Sequence, residues 1–266
     1  MRCTARVALI AAAALIPVVA SSWGTIDDVR YKIKGADGNL WARVLGGGRL
    51  IRGDEVPGTV TFTFDDGPDH RTTPILLDQL DRYNIKAAFF VNAGKFHPST
   101  AGGLENRAVI RDIYRRGHYI GSHTFSHQDI TKLDEDGWRA EVVQVERLIE
   151  GIIGRRPWIF RPPFGKTDTR TREKLLLKGY TTVMWNLDSG DWKAKSSMEL
   201  YENVRRIISE NPKGGVFLFH DTNRSTIEAF PLIVEWIEEY NARQRIRGGP
   251  PLDIVGLEHY VTKRNH

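Results

Sequence analysis

Asp65 and Asp66 stand side by side in "TFTFDDGPDH" (61–70), directly after an alternating apolar run. Thr61 to Phe64 reads as a strand, and Asp65-Asp66-Gly67-Pro68 stops it. Two like charges at the end of a buried strand repel each other. Either they make an ordinary turn, or something positive sits beside them. The stretch "HTFSH" adds His123 and His127, four residues apart, which on a helical turn would face one way and suit two imidazole ligands to one ion. The zincin pattern needs a glutamate directly after the first histidine, and Thr124 occupies that place. A third ligand and a base must therefore come from elsewhere. The aspartate pair supplies both: one carboxylate for a divalent metal, the other free to take a proton from water. A cation and an arginine between them would offset the paired charges.

These groups need a scaffold that brings distant segments together. From residue 59 a regular alternation begins. Strand-like runs are "TVTFTF" (59–64), "KAAFFVN" (86–92), "HYIGSHT" (118–124), "WIFRP" (158–162), "YTTVMWNLD" (180–188), "GGVFLFHD" (214–221) and "DIVGLEHY" (253–260). Helical spacing appears between them in "TPILLDQLDRYN", "WRAEVVQVERLIEGIIG" and "IEAFPLIVEWIEEYNAR". Strand–helix alternation predicts an α/β fold, a parallel sheet with outer helices. Seven units favour a barrel, complete or incomplete, over an open doubly wound sheet. A hairpin over residues 29–45 and a loop, "GGGRLIRGDEVPG", would precede it. In such a barrel, catalytic groups stand at the C-terminal strand ends. There the sequence places Asp65-Asp66, Asn92, "HTFSH", Arg161 in "RPPFG", Asp188, Asp191 and Trp192 in "DSGDW", and Leu218 and His220 in "LFHD". Scattered surface charge would not concentrate so.

Arg2 and Arg6 precede an apolar stretch from Val7 to Ala20, with a small-residue site ahead of Ser21. That is the layout of a secretory signal peptide, since about 14 apolar residues fall short of the ~20 needed to span a bilayer. The expected organisation is a leader over 1–20, a hairpin and loop over 21–58, and a catalytic domain over 59–266. Cys3 lies in the leader and is the sole cysteine, so the exported chain would have no disulfide and would rely on its core. The net charge of +5 is interleaved with acidic residues, as in "RDIYRRGH", which reads as solvated helix faces and not as a nucleic-acid patch. No later segment is apolar enough to cross a membrane. His70, His97, His118, His259 and His266 read as structural or solvated. Trp41, Trp138, Trp158, Trp185 and Trp236 read as core or helix-face residues.

The ordered stretches "TFDDGPD", "HTFSH", "RPPFG", "DSGDW" and "LFH" resemble the five motifs of the NodB-homology polysaccharide deacetylases, carbohydrate esterase family 4. The likeness runs from Val60 to the "GLEHYV" end. It implies a distorted (β/α) barrel, usually counted as seven-stranded, a divalent metal, commonly Zn2+, and hydrolysis of N-acetyl groups on GlcNAc polymers such as chitin or peptidoglycan. With the leader, a secreted monomer is expected. Transferred residue by residue, the resemblance makes Asp66, His123 and His127 metal ligands and Asp65 the general base, held ionised by Arg161. His220 becomes the general acid, tuned by Asp191 in preference to Asp188. Leu218 and Trp192 would line an acetyl pocket, and the Phe164 amide would face the oxyanion. Phe164 stands where the family often has Tyr, and Gln128 where Pro often follows the second motif. Alternatives are an O-acetyl esterase on acetylxylan, or an inactive carbohydrate-binding protein.

Overall fold

The computed structural model describes residues 50–262. The expected leader and N-terminal hairpin fall outside the described residues, as does His266. Nine strands form one curled, all-parallel sheet: β1 (Leu50–Ile51), β2 (Thr59–Asp65), β3 (Ala88–Val91), β4 (Tyr119–Ser122), β5 (Ile159–Phe160), β6 (Thr181–Val183), β7 (Leu187–Asp188), β8 (Gly214–His220) and β9 (Asp253–Ile254). Their spatial order is β1-β6-β5-β4-β3-β2-β8-β7, with β9 against the start of β2. Each of the seven predicted runs contains a strand. The run over 180–188 is cut in two, and its halves serve opposite ends of the curled sheet. β6 pairs with β5 near one end of the sheet, whereas β7, three residues on, pairs with β8 at the other.

Asn186 makes that crossing possible. Its side chain imitates a strand, accepting from the Val216 amide at 2.9 Å and donating to the Gly214 carbonyl at 3.1 Å. The approach is close enough that a Cβ on Gly215 would lie 2.0 Å from Asn186 Oδ1, and the φ of 146° there also favours glycine. An open doubly wound sheet is thereby ruled out.

Alternation along β2 separates two environments. Val60, Phe62 and Phe64 face the helices and pack with Leu76, Leu77 and Leu80 of α1 (Thr73–Arg82) and with Phe230 and Ile233 of α8 (Arg224–Arg247). Thr59, Thr61 and Thr63 are buried on the opposite side. There Ala88, Phe90, Ile159, Val183 and Val216 form a second cluster inside the barrel. The remaining helices are α2 (Ala93–Phe96), α3 (Gly103–Arg115), α4 (Glu135–Trp138), α5 (Gln144–Ile153), α6 (Thr169–Leu177), α7 (Ser197–Glu210) and α9 (Glu258–Thr262). A π-helical turn, Arg139–Val143, joins α4 to α5. None of the described helices is long and apolar enough to cross a membrane.

Three local expectations are corrected. The run over 253–260 is strand for only two residues, because Gly256 and Leu257 carbonyls accept from His259 and Tyr260 and start α9. "GGGRLIRGDEVPG", expected to be loop, contributes β1, which adds to the sheet beside β6. Trp158 is 39% exposed and meets the Tyr119 ring edge-on, so it is not a core residue.

Candidate active site

Strand register aligns the chemistry. Asp65 is the last residue of β2 and pairs with His220, the last of β8. His123 and Arg161 directly follow β4 and β5, and each continues the ladder by one bond, His123 N to Val91 O and Arg161 N to Ser122 O, both 3.0 Å. All four groups thus emerge at one rim of the barrel.

Asp66, His123 and His127 bring one donor atom each to within 4.8 Å of one another. His123 Nε2 lies 3.6 Å and His127 Nε2 3.5 Å from Asp66 Oδ1. That oxygen is buried and accepts no hydrogen bond. An orphaned carboxylate oxygen between two imidazole nitrogens fits a divalent cation and leaves an open side, as catalytic sites of this kind require. His123 Nδ1 lies 2.8 Å from the Arg161 carbonyl, so Nδ1–H donates and Nε2 keeps its lone pair toward the cluster. Burial pulls the His123 imidazole down to about 3, against the attraction of Asp66, so it is neutral as a ligand must be.

The two histidines do not converge by a helical turn. "HTFSH" is an irregular loop in which Thr124 (φ 67°) and His127 (φ 61°) are left-handed. The Thr124 hydroxyl accepts from the His127 amide at 3.0 Å and helps to hold this strained path.

Asp65 is buried beside the ligands, and Arg161 Nη1 donates to its Oδ1 at 2.8 Å. Arg161 is wholly buried. It also donates to the Thr63 hydroxyl (2.7 Å) and the Val183 and Met184 carbonyls (3.0 and 3.1 Å), and its guanidinium stacks 4.2 Å from the Phe90 ring centre. With four of its five N–H donors so placed and its face stacked on Phe90, its orientation toward Asp65 is fixed. Burial raises the Asp65 carboxyl, opposed chiefly by the charge of Arg161.

Across the cluster, His220 Nε2 is 3.8 Å from Asp66 Oδ2. Its Nδ1 lies 2.7 Å from Asp191 Oδ1, while Asp191 Oδ2 accepts from the His220 amide at 2.6 Å and from the Thr226 hydroxyl at 2.7 Å. Burial disfavours a charged His220, but the hydrogen bond and charge of Asp191, aided by Asp65 and Asp66, carry it up to about 9. Asp188 is exposed and turns back to accept from the Gly190 amide.

Phe164 sits at the rim with its ring 4.5 Å from that of His127, 60% exposed, at a left-handed φ of 59°. Leu218 is buried on β8, two residues before His220, and Trp192 is 62% exposed next to Asp191. His118 lies at the opposite end of the barrel, buried, with Nδ1 accepting from the Ala87 amide.

Two buried acids escaped the sequence reading. Asp221 follows His220, accepts from the Thr73 hydroxyl and touches Gly67, where a Cβ would lie 2.2 Å from its carboxylate. Burial raises it to about 7. The motif as read stopped one residue short. Glu141 lies one turn before Val145 on an apolar helix stripe, an anomaly visible in the sequence.

The family described as polysaccharide deacetylase matches residues 52–183. Over 191 residues the chain is 32% identical to a peptidoglycan-N-acetylglucosamine deacetylase of Bacillus cereus, covering 69% of this chain and 65% of the relative. It is 34% identical over 200 residues to a chitin deacetylase of Arthroderma benhamiae, covering 74% and 52%. The solved chitin deacetylase of Colletotrichum lindemuthianum superposes with a TM-score of 0.66 at 26% identity, covering 78% of this chain and 90% of that one. The chain belongs to the NodB-homology polysaccharide deacetylases, carbohydrate esterase family 4. It spans between about a third and two thirds of the length of the first curated relatives it matches.

Proposed function

We propose that the protein is a zinc-dependent hydrolase that removes N-acetyl groups from GlcNAc-containing polysaccharide. The observation that carries this is the meeting of three groups at one rim: the Asp66–His123–His127 cluster with its orphaned oxygen, the buried Asp65–Arg161 pair, and the His220–Asp191 pair.

Asp66, His123 and His127 would hold the ion, two nitrogens and one oxygen with a free position, a donor set that suits zinc. When bound, such an ion polarises an acetyl carbonyl and eases deprotonation of water. Asp65 is the base that takes the water proton. Burial raises its carboxyl and so makes the ionised form a stronger base, and Arg161 fixes its direction. The Phe164 amide faces the oxyanion, and Leu218 and Trp192 flank the acetyl methyl. His220, protonated through Asp191, gives its Nε2 proton to the departing amine, which is otherwise a poor leaving group. Base and acid thus stand in opposite electrostatic settings, Asp65 against a guanidinium and His220 against a carboxylate. A polymer of the cell wall calls for an exported enzyme, which the leader-like residues 1–20 support.

Acetate release from chitin oligomers, peptidoglycan and acetylxylan tests the reading. Release from the N-acetylated polymers is expected; release from acetylxylan alone would replace it with O-deacetylation. Asp65→Asn should retain the metal and release no acetate. Near-normal turnover in that variant would remove Asp65 as base.

A further inference from the structure

We propose that Glu141 is a positioning residue for the metal site: its buried carboxylate sets the shape of the His123–His127 loop and, through it, the affinity for the ion. The inference rests on reading Asp66, His123 and His127 as a metal site. Glu141 is 4% exposed, and among the described residues no lysine or arginine pairs with it. Its charge is instead satisfied by the loop. Oε2 accepts from the amides of Phe125 (3.0 Å) and Ser126 (2.8 Å), and Oε1 from the Ser126 hydroxyl (2.5 Å) and the Gln128 side-chain amide (3.2 Å). Three of these four donors belong to residues between the two histidines.

The loop needs such a clamp. Left-handed non-glycine residues at Thr124 and His127 are strained and persist only where surroundings over-determine them. On the other side the Thr124 and Phe125 carbonyls accept from the amides of Ala93 (3.0 Å) and Gly94 (2.7 Å) at the start of α2. The loop is therefore held between a helix start and one carboxylate. Glu141 is also the middle residue of the π-helical turn, Arg139–Val143, a geometry that carries one extra residue at a cost and recurs at functional sites. His127 is the ligand at risk. His123 is anchored by the β4 ladder and the Arg161 carbonyl, whereas His127 depends on the path of residues 124–126.

Three variants test this with zinc as the probe and binding to chelator-stripped protein as the readout. Glu141→Asp keeps the charge but withdraws the carboxylate by one methylene. Glu141→Gln keeps the reach, offering one oxygen to the two amides and an NH2 to the Ser126 hydroxyl. Glu141→Ala removes both. The Asp and Ala variants should bind zinc about 10–100-fold more weakly, the cost usual for partners that orient metal ligands, and the Gln variant should stay close to wild type. Excess zinc should restore kcat to the Asp variant with KM unchanged. A merely structural role would lower the melting temperature and leave the affinity of the folded protein untouched. Should the Ala variant fail to fold, the Asp–Gln contrast decides. Wild-type affinity in the Asp variant overturns the positioning role alone, and absence of zinc binding by the wild-type protein overturns the metal reading with it.

Discussion

His123 and His220 lie on opposite sides of Asp66, each with its Nε2 turned toward the same carboxylate and its Nδ1 tied to the protein. What differs is the Nδ1 partner. For His123 it is the Arg161 backbone carbonyl, neutral and fully buried; for His220 it is the Asp191 carboxylate. Burial holds the first ring near 3, unprotonated as a metal ligand must be, while Asp191 lifts the second toward 9 against its own burial. Burial on one side and a carboxylate neighbour on the other thus fit one side chain type for two different tasks.

The largest break in this comparison is His123→Ala. Removing one of three ligands should forfeit the several kcal/mol of charge stabilisation an ion supplies, on the order of 10³-fold or more in kcat/KM, with metal content falling in parallel. Full occupancy at low zinc would contradict the ligand assignment.

His220→Ala should leave metal content unchanged and cost roughly 10²–10⁴-fold on N-acetylated oligomers. On an aryl acetate the loss should be far smaller, because phenolate departs without a proton. Equal losses on both substrates would remove the acid role.

Asp191→Asn sharpens the comparison by making the His220 partner neutral. The Thr226 hydroxyl and His220 amide can still donate to the asparagine oxygen, while its NH2 faces the ring. His220 must be protonated to act, so activity is present below its pKa and lost as pH rises through it. In the wild-type protein that limb lies at or below about 9, since a divalent charge on Asp66 opposes part of the rise. The variant's limb should move acidward, toward the ordinary histidine value near 6.5, by about a unit or more. A pH profile of kcat/KM measures it, and an unmoved limb would free His220 from Asp191.

The smallest effect belongs to Asp188→Asn. Asp188 is exposed and bonded to Gly190, with no contact to His220. Turnover within about twofold of wild type is expected, as for surface changes away from buried networks. A shifted alkaline limb in this variant would reassign the tuning to Asp188.

The rim was legible in the sequence because charged residues at the ends of apolar runs have little other reason to be there: Asp65 and His220 end strands, and Asp66, His123 and Arg161 directly follow them. Paired strands then bring them together by register alone. What was not legible depends on long-range closure or on irregular backbone. The run over 180–188 alternates as one strand would, and only the bend at Asn186 shows that its halves serve opposite ends of the sheet. The four-residue spacing of His123 and His127 suggested a helical turn, but their convergence comes from two left-handed residues. Neither Thr124 nor His127 is a glycine that would have signalled it. Glu141 supports that loop from a π-helical turn, a geometry no regular period discloses.

In the proposed reaction acetate leaves GlcNAc polymers through an ion held by Asp66, His123 and His127. Acetate release from a GlcNAc pentamer by chelator-stripped protein, with zinc titrated back, addresses it most directly. Negligible release is expected without zinc, with a rise that saturates at one zinc per chain. Release that survives chelation undiminished would contradict it.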